Sequence, residues 1–179
     1  MTKALCVCAI LWSSILAGSE DLGPARTSVT LEPPPVTAIE RGGPATVELQ
    51  FRIARGFHIN SNQPKQEYLK KTELKLDPPA DIVIAKVTYP EGQDLNFPFA
   101  PDEKLSVYSG NFAIDVALRP LKSVVPANYE VHGFLKYQAC DNSACYPPKQ
   151  LPVAFQLKVT KDESQPGSAS GAQGPHAHS

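Results

Sequence analysis

Apolar and polar residues alternate along several separated stretches of this chain, and any fold it adopts has to satisfy that period of two. Val47, Leu49, Phe51 and Ile53 alternate with Glu48, Gln50 and Arg52. Phe112, Ile114, Val116 and Leu118 alternate with Ala113, Asp115 and Ala117. Tyr129, Val131, Gly133, Leu135 and Tyr137 share one parity, as do Val153, Phe155, Leu157 and Val159. Successive side chains of an extended strand point to opposite faces, so each stretch offers one apolar face for burial. Weaker candidates lie at 28–31, 72–76 and 81–89. Between them stand turn clusters such as Pro33-Pro34-Pro35, Arg41-Gly42-Gly43-Pro44, Asp77-Pro78-Pro79 and Pro90-Glu91-Gly92, whose backbone preferences strands cannot accommodate. No stretch sustains a helical period. The 18 prolines among 179 residues also oppose helix interiors, because proline lacks an N–H and clashes with the preceding turn. Seven or so short strands separated by turns predict an all-β, immunoglobulin-like β-sandwich. The Cys, Trp, Cys pattern of antibody domains is absent, since the only tryptophan is Trp12.

The two ends read differently from the middle. Residues 1–19 carry Lys3, an apolar run from Ala4 to Leu16, and the small residues Ala17, Gly18 and Ser19, the layout of a cleaved signal peptide. The run is shorter than the roughly 20 apolar residues that span a bilayer. Residues 20–26 form a polar leader, 27–160 a single domain, and 161–179 a tail without large apolar side chains, predicted to be disordered. The expected location is therefore periplasmic or otherwise exported. A net charge of −1 supplies no basic surface for a nucleic acid.

Cys6 and Cys8 leave with the signal peptide, so the four cysteines become two, Cys140 and Cys145. Four residues separate them, and Asp141, Asn142 and Ser143 among these are turn formers. Such a turn can bring two sulfurs together in an oxidising compartment. On the chain-entropy model a disulfide stabilises more as its loop lengthens, so a bridge this short is a poor staple. Short or exposed disulfides are the ones used in exchange. Redox exchange is favoured over a structural bridge, which stays open as an alternative. A closed zinc site lacks its second ligand pair, because His58 and His132 are the only histidines within 27–160. No metal and no cofactor are implied. Glycine-rich phosphate loops, Gly-x-Ser-x-Gly elbows and His-Glu-x-x-His motifs are all missing, and the Asp102-Glu103 pair reads as a solvated turn in a loop.

Tyr137-Gln138-Ala139-Cys140 and Cys145-Tyr146-Pro147-Pro148-Lys149 resemble the active-site stretch of the periplasmic N-terminal domain family of DsbD, the thiol:disulfide interchange protein. The resemblance continues, in order, through Gly56-Phe57-His58-Ile59-Asn60-Ser61-Asn62, Thr72-Glu73-Leu74, Tyr89-Pro90-Glu91-Gly92 and Leu105-Ser106-Val107-Tyr108-Ser109-Gly110, covering roughly residues 36–159. It implies an immunoglobulin-like sandwich with the cysteines at a strand end, shielded by a loop bearing an aromatic residue. The implied activity is that of a thiol:disulfide oxidoreductase of protein-disulfide reductase type. Electrons would arrive from a membrane-embedded or thioredoxin-like reductant and leave towards oxidised exported client proteins. By matching position, Cys145 is the sulfur that exchanges with partners and Cys140 its resolving partner. The shielding loop falls within 97–108, with Phe97 or Phe99 as the cover unless both pack into the core. Tyr108, His58, Asn60, Tyr137 and Tyr146 are further residues implied to line the site.

The chain departs from the family pattern in three ways. Its spacer is four residues where the best-known member has five. His58 and Asn60 fall where that member has tyrosines. The membrane region and the thioredoxin-like domain that follow in full DsbD are not in this sequence, so a separate protein is expected to supply electrons. Asp141 would oppose thiolate formation at Cys140, and Lys149 would favour it. The alternatives are a non-catalytic secreted immunoglobulin-like binding module with a structural Cys140–Cys145 disulfide and, more weakly, a copper-handling or similar metallochaperone using both sulfurs.

Overall fold

The computed structural model describes residues 27–162. The expected signal peptide, the leader and all but the first two residues of the tail lie outside them. In chain order the strands are β1 (Val29–Leu31), β2 (Thr37–Glu40), β3 (Ala45–Ile53), β4 (His58–Asn60), β5 (Glu73–Asp77) and β6 (Ile82–Thr88). They continue as β7 (Gln93–Phe97), β8 (Ala100–Tyr108), β9 (Asn111–Pro120), β10 (Asn128–Tyr137), β11 (Ala139–Cys140) and β12 (Lys149–Thr160). No helix occurs among the described residues.

The strands form three four-stranded sheets, ordered β1-β3-β9-β6, β2-β12-β10-β5 and β11-β4-β8-β7. The four strongest alternating stretches become β3, β9, β10 and β12, the inner strands of the first two sheets. This follows from the pattern: a long strand flanked on both sides has one face for the core and one for solvent. Leu49 and Phe51 of β3, Ile114 and Leu118 of β9, Leu135 of β10 and Leu157 of β12 are all fully buried in one cluster. Each such side chain contributes about 1.5–3 kcal/mol through burial. The first two sheets thus make an immunoglobulin-like β-sandwich.

Registry between β10 and β5 depends on Gly133, which lies opposite Leu76. A Cβ at Gly133 would stand 2.2 Å from the Lys75 carbonyl oxygen and 2.9 Å from Leu76 Cδ2. Only glycine allows the two backbones to approach this closely.

Among the described residues twelve strands replace the seven or so expected. The unforeseen β2, β4, β7, β8 and β11 share a reason: none shows a clean alternation. All three residues of β4 are buried, and the outer halves of β7 and β8 are exposed on both faces. The range 97–108, within which the shielding loop was expected, holds the end of β7, a tight turn at Pro98-Phe99, and β8. Asp102 and Glu103 accordingly lie on β8 rather than in a loop, although exposed as expected.

Candidate functional site

After Tyr137 the chain leaves the sandwich. The short β11 pairs antiparallel with β4 of the third sheet, placing Ala139 opposite Ile59 and Cys140 opposite His58. The chain then turns through Asp141 to Ala144 and returns to the bridge, with Cys145 facing Cys140. The two cysteines are bonded, S–S 2.02 Å, with Cα atoms 3.9 Å apart. That separation is closer than the usual range of about 4.4–6.8 Å.

The Asp141 carboxylate organises the turn. One oxygen accepts the backbone N–H groups of Ser143 at 2.7 Å and Ala144 at 2.9 Å. The other accepts the Tyr146 hydroxyl at 2.5 Å. Hydrogen bonds to a carboxylate favour its ionised form, so Tyr146 first, then the Ser143 and Ala144 amides, hold Asp141 below the ordinary carboxylate range. Backbone bonds from Asp141 N to Ala144 O (3.0 Å) and from Tyr146 N to Ala139 O (2.8 Å) close the hairpin. Asp141 is legible in the sequence as a turn former, but its acceptor role is not.

Gln138, absent from the predicted site residues, ties the turn to its surroundings. Its side-chain oxygen accepts the Lys70 backbone N–H and the Asn60 amide, both at 3.2 Å, while its amide donates to the Tyr146 carbonyl at 3.2 Å. Asn60 also donates to the Lys70 carbonyl at 3.0 Å. Gln138 falls at the break between the long β10 and the two-residue β11, immediately before the cysteine turn, which is the signal that could have found it.

The two cysteine residues differ in exposure. Cys140 is 0% exposed, whereas Cys145 is half-buried. Beside Cys140, His58 is 4% exposed. The His58 ring stacks on Phe97, centroids 3.8 Å apart and planes 15° apart, and Phe99 lies nearly parallel at 6.3 Å from His58 and 5.6 Å from Phe97. Phe97 is buried with Leu69, Leu105 and Val107 in a small second cluster, while Phe99 is 36% exposed. Burial strips water from the His58 imidazole and lowers its pKa from 6.5 to about 4, against a smaller upward pull from the Asp141 charge. His58 is therefore neutral at pH 7. Its Nε2 is buried without a hydrogen-bond partner, an arrangement that costs about 1–3 kcal/mol.

On the other side of the turn a groove of about 350 Å³ is lined by Ser28, Phe57, Ala139, Asp141, Tyr146, Pro147 and Lys149. Phe57 and Tyr146 meet there, ring centroids 6.0 Å apart. The two other predicted site residues, Tyr137 and Tyr108, belong to the main core. The Tyr137 hydroxyl accepts from Ser28 at 3.3 Å. Tyr108 stacks on Phe112 at 5.0 Å and donates to Asn62 at 2.6 Å. His132 is exposed beside Glu130. Among the described residues no group of three or more His, Cys, Asp or Glu side chains is gathered to hold a metal ion.

A disulfide closed over a tight turn, where a central strand leaves an immunoglobulin-like sandwich, defines a small all-β domain built to present one cystine. The chain belongs to the family described as thiol:disulfide interchange protein DsbD, N-terminal, which matches residues 29–157. Family membership and the bonded pair together support thiol-disulfide exchange as its chemistry. Among solved structures, it is similar to the reduced DsbD N-terminal domain of Neisseria meningitidis, at 23% identity over 77% of this chain and 92% of that one, TM-score 0.45. It is also similar to the N-terminal periplasmic domain of ScsB from Proteus mirabilis, at 14% identity over 73% of this chain and 44% of that one, TM-score 0.44. A type I cohesin of Pseudobacteroides cellulosolvens is similar at 11% identity over 84% of this chain and 98% of that one, TM-score 0.47. No curated protein matches the chain.

Proposed function

We propose that this domain is an exported protein-disulfide reductase module that carries reducing equivalents through Cys140 and Cys145. The unequal burial of the two cysteines carries the reading: a visiting thiolate can approach half-buried Cys145, while Cys140 is closed to solvent. Attack on Cys145 forms a mixed disulfide and expels Cys140 as the leaving thiolate. The second thiol of a dithiol donor then attacks the donor's own sulfur in that mixed disulfide and releases reduced Cys145. In the forward direction Cys145 attacks a client disulfide, and Cys140 attacks Cys145 to free the client. Phe97, stacked on His58, serves as the cover over the Cys140 side, and partner docking displaces the β7–β8 turn.

The electron donor is taken to be a membrane-embedded or thioredoxin-like reductant and the clients to be oxidised exported proteins, in keeping with the thiol:disulfide interchange family to which the chain belongs. Cys140→Ser, expressed in the host, should accumulate mixed disulfides through Cys145, and Cys145→Ser should trap none. Equal trapping by both variants refutes the assignment. A reduction potential below roughly −300 mV would instead mark an inert staple.

A further inference from the structure

Attack on Cys145 breaks the Sγ–Sγ bond and leaves its electron pair on Cys140, so a thiolate is born where solvent does not reach. A buried anion without a donor or counter-charge is strongly disfavoured. The charged neighbour Asp141 has the wrong sign, Lys149 is exposed in the groove it shares with Asp141 and Tyr146, and the side-chain donors around the turn are committed. The Tyr146 hydroxyl binds Asp141, the Gln138 amide binds the Tyr146 carbonyl, and the Asn60 amide binds Lys70 and Gln138.

His58 stands apart from these. It is the direct cross-strand partner of Cys140, and side chains directly opposite in an antiparallel pair share a face, with Cβ atoms about 4.5–5.5 Å apart. Its Nε2 is buried and has no partner among the protein atoms. A buried polar atom left unsatisfied calls for an explanation. A disulfide sulfur is a weak acceptor and a thiolate a strong one, so breaking the bond creates a strong acceptor on the residue directly opposite His58.

We propose that His58 is the leaving-group partner of Cys140, its Nε2–H donating to the thiolate that forms when Cys145 is attacked. The inference rests on the exchange reading above and names the residue that makes the first step feasible. The imidazole stays neutral and keeps its proton throughout. Over a full reduction the dithiol donor loses two electrons and two protons, and the cysteine pair gains them. Phe97, stacked on the ring, and Phe99, nearly parallel to it at 6.3 Å, bring no charge, and Asp141 is the charge that acts on it.

The test is the rate at which dithiothreitol reduces the oxidised protein. His58→Phe keeps an aromatic ring against Phe97 and removes the donor; it should slow reduction about tenfold or more, the kinetic worth of one hydrogen bond to a charged group. His58→Gln, which restores an N–H, should recover much of the loss. In the Cys145→Ser background, His58→Phe should also raise the pH at which Cys140 is alkylated. A second readout uses the unaltered protein: the ¹⁵N resonance of His58 Nε2 should move on reduction under conditions where Cys140 is a thiolate. A His58→Phe rate within twofold of the parent, or an Nε2 resonance that does not move, overturns the proposal. If Cys140→Ser still traps partners while His58→Phe reacts normally, His58 loses this role and the exchange reading stands. If His58→Phe is slow and Cys140→Ser traps nothing, the coupling of His58 to Cys140 holds and the exchange reading fails.

Discussion

Acidifying the protein from pH 7 to 4 tests the burial of His58, with a sign and a size set by its surroundings. Its pKa in the folded chain is about 4, against an ordinary 6.5. Between those values the unfolded chain holds more protons than the folded one, so stability falls as the pH falls. Above the window both states are neutral at this residue; below it both are protonated, and no further loss accrues. At about 1.4 kcal/mol for each tenfold change in proton affinity, the full loss is about 3 kcal/mol, of which about 2 kcal/mol is reached by pH 5. Small domains typically have only about 5–15 kcal/mol of stability, so the effect is readily measured. Asp141 has the depressed pKa usual for a bonded carboxylate, and its stabilisation is lost only at lower pH, as it protonates below the ordinary carboxylate range.

Urea unfolding of the oxidised protein and of His58→Phe, at half-unit steps across that interval, isolates the contribution of His58 together with its weak coupling to Asp141, because the other titrating groups are common to both. At pH 7 the variant should match or exceed the parent, since an apolar ring replaces an unsatisfied buried nitrogen. At pH 5 the variant should be ahead by about 2 kcal/mol more than at pH 7. Parallel profiles, differing by a constant amount across the interval, would refute the claim that His58 is neutral and buried.

Gly133→Ala should destabilise the domain by at least the upper end of the roughly 1–3 kcal/mol typical of overpacking, because the new Cβ would meet the Lys75 carbonyl at 2.2 Å; an unchanged urea midpoint would contradict the close approach of β10 and β5. Phe97→Ala should speed reduction of the disulfide by small thiols severalfold, while costing about 1–3 kcal/mol, less than a deep-core phenylalanine, because it packs in a cluster of only a few residues. An unchanged rate would remove Phe97 from the role of cover.

Legibility in the sequence followed burial geometry. β3, β9, β10 and β12 each have one face in the main core, so their patterns alternate and could be read one residue at a time. β4 could not, because His58, Ile59 and Asn60 are all buried, and a buried run carries no period. β7 and β8 failed for the opposite reason: Asp94, Asn96, Asp102 and Glu103 are exposed, and polar runs with Pro98 and Pro101 look like loop. The cysteine pair was visible from spacing and turn formers alone. Its environment was not, since the stacking of His58 on Phe97 joins residues 39 positions apart through a strand pairing that no local pattern announces. Resemblance to the family located those residues near the site without saying what surrounds them.

The proposed exchange needs a cystine held in place and a cover able to move, and the two requirements fall on different clusters. Ile59 of β4 and Ala139 of β11, the strand partners that carry His58 and Cys140, belong to the main core along with the sandwich. Phe97 belongs to the second cluster, with Leu69, Leu105, Val107 and the partly buried Ala100. Moving the turn at Pro98-Phe99 therefore disturbs a few apolar contacts and leaves the sandwich untouched. The inner end of β8 is held to the segment before β5 by the buried Ser61–Ser106 bonds and by the bonds between Asn62 and Tyr108. The remaining ties, the ion pair of Lys65 with Asp94, the Tyr68 hydroxyl on Glu103 and the Gln66 amide on the Lys104 carbonyl, are exposed, and exposed pairs of this kind contribute little. Local opening draws on the least stable parts of a structure. On the proposed reading the cover sits in such a part, while Ala139, next to Cys140, belongs to the main core, so the disulfide would be uncovered without loosening the strands that aim it.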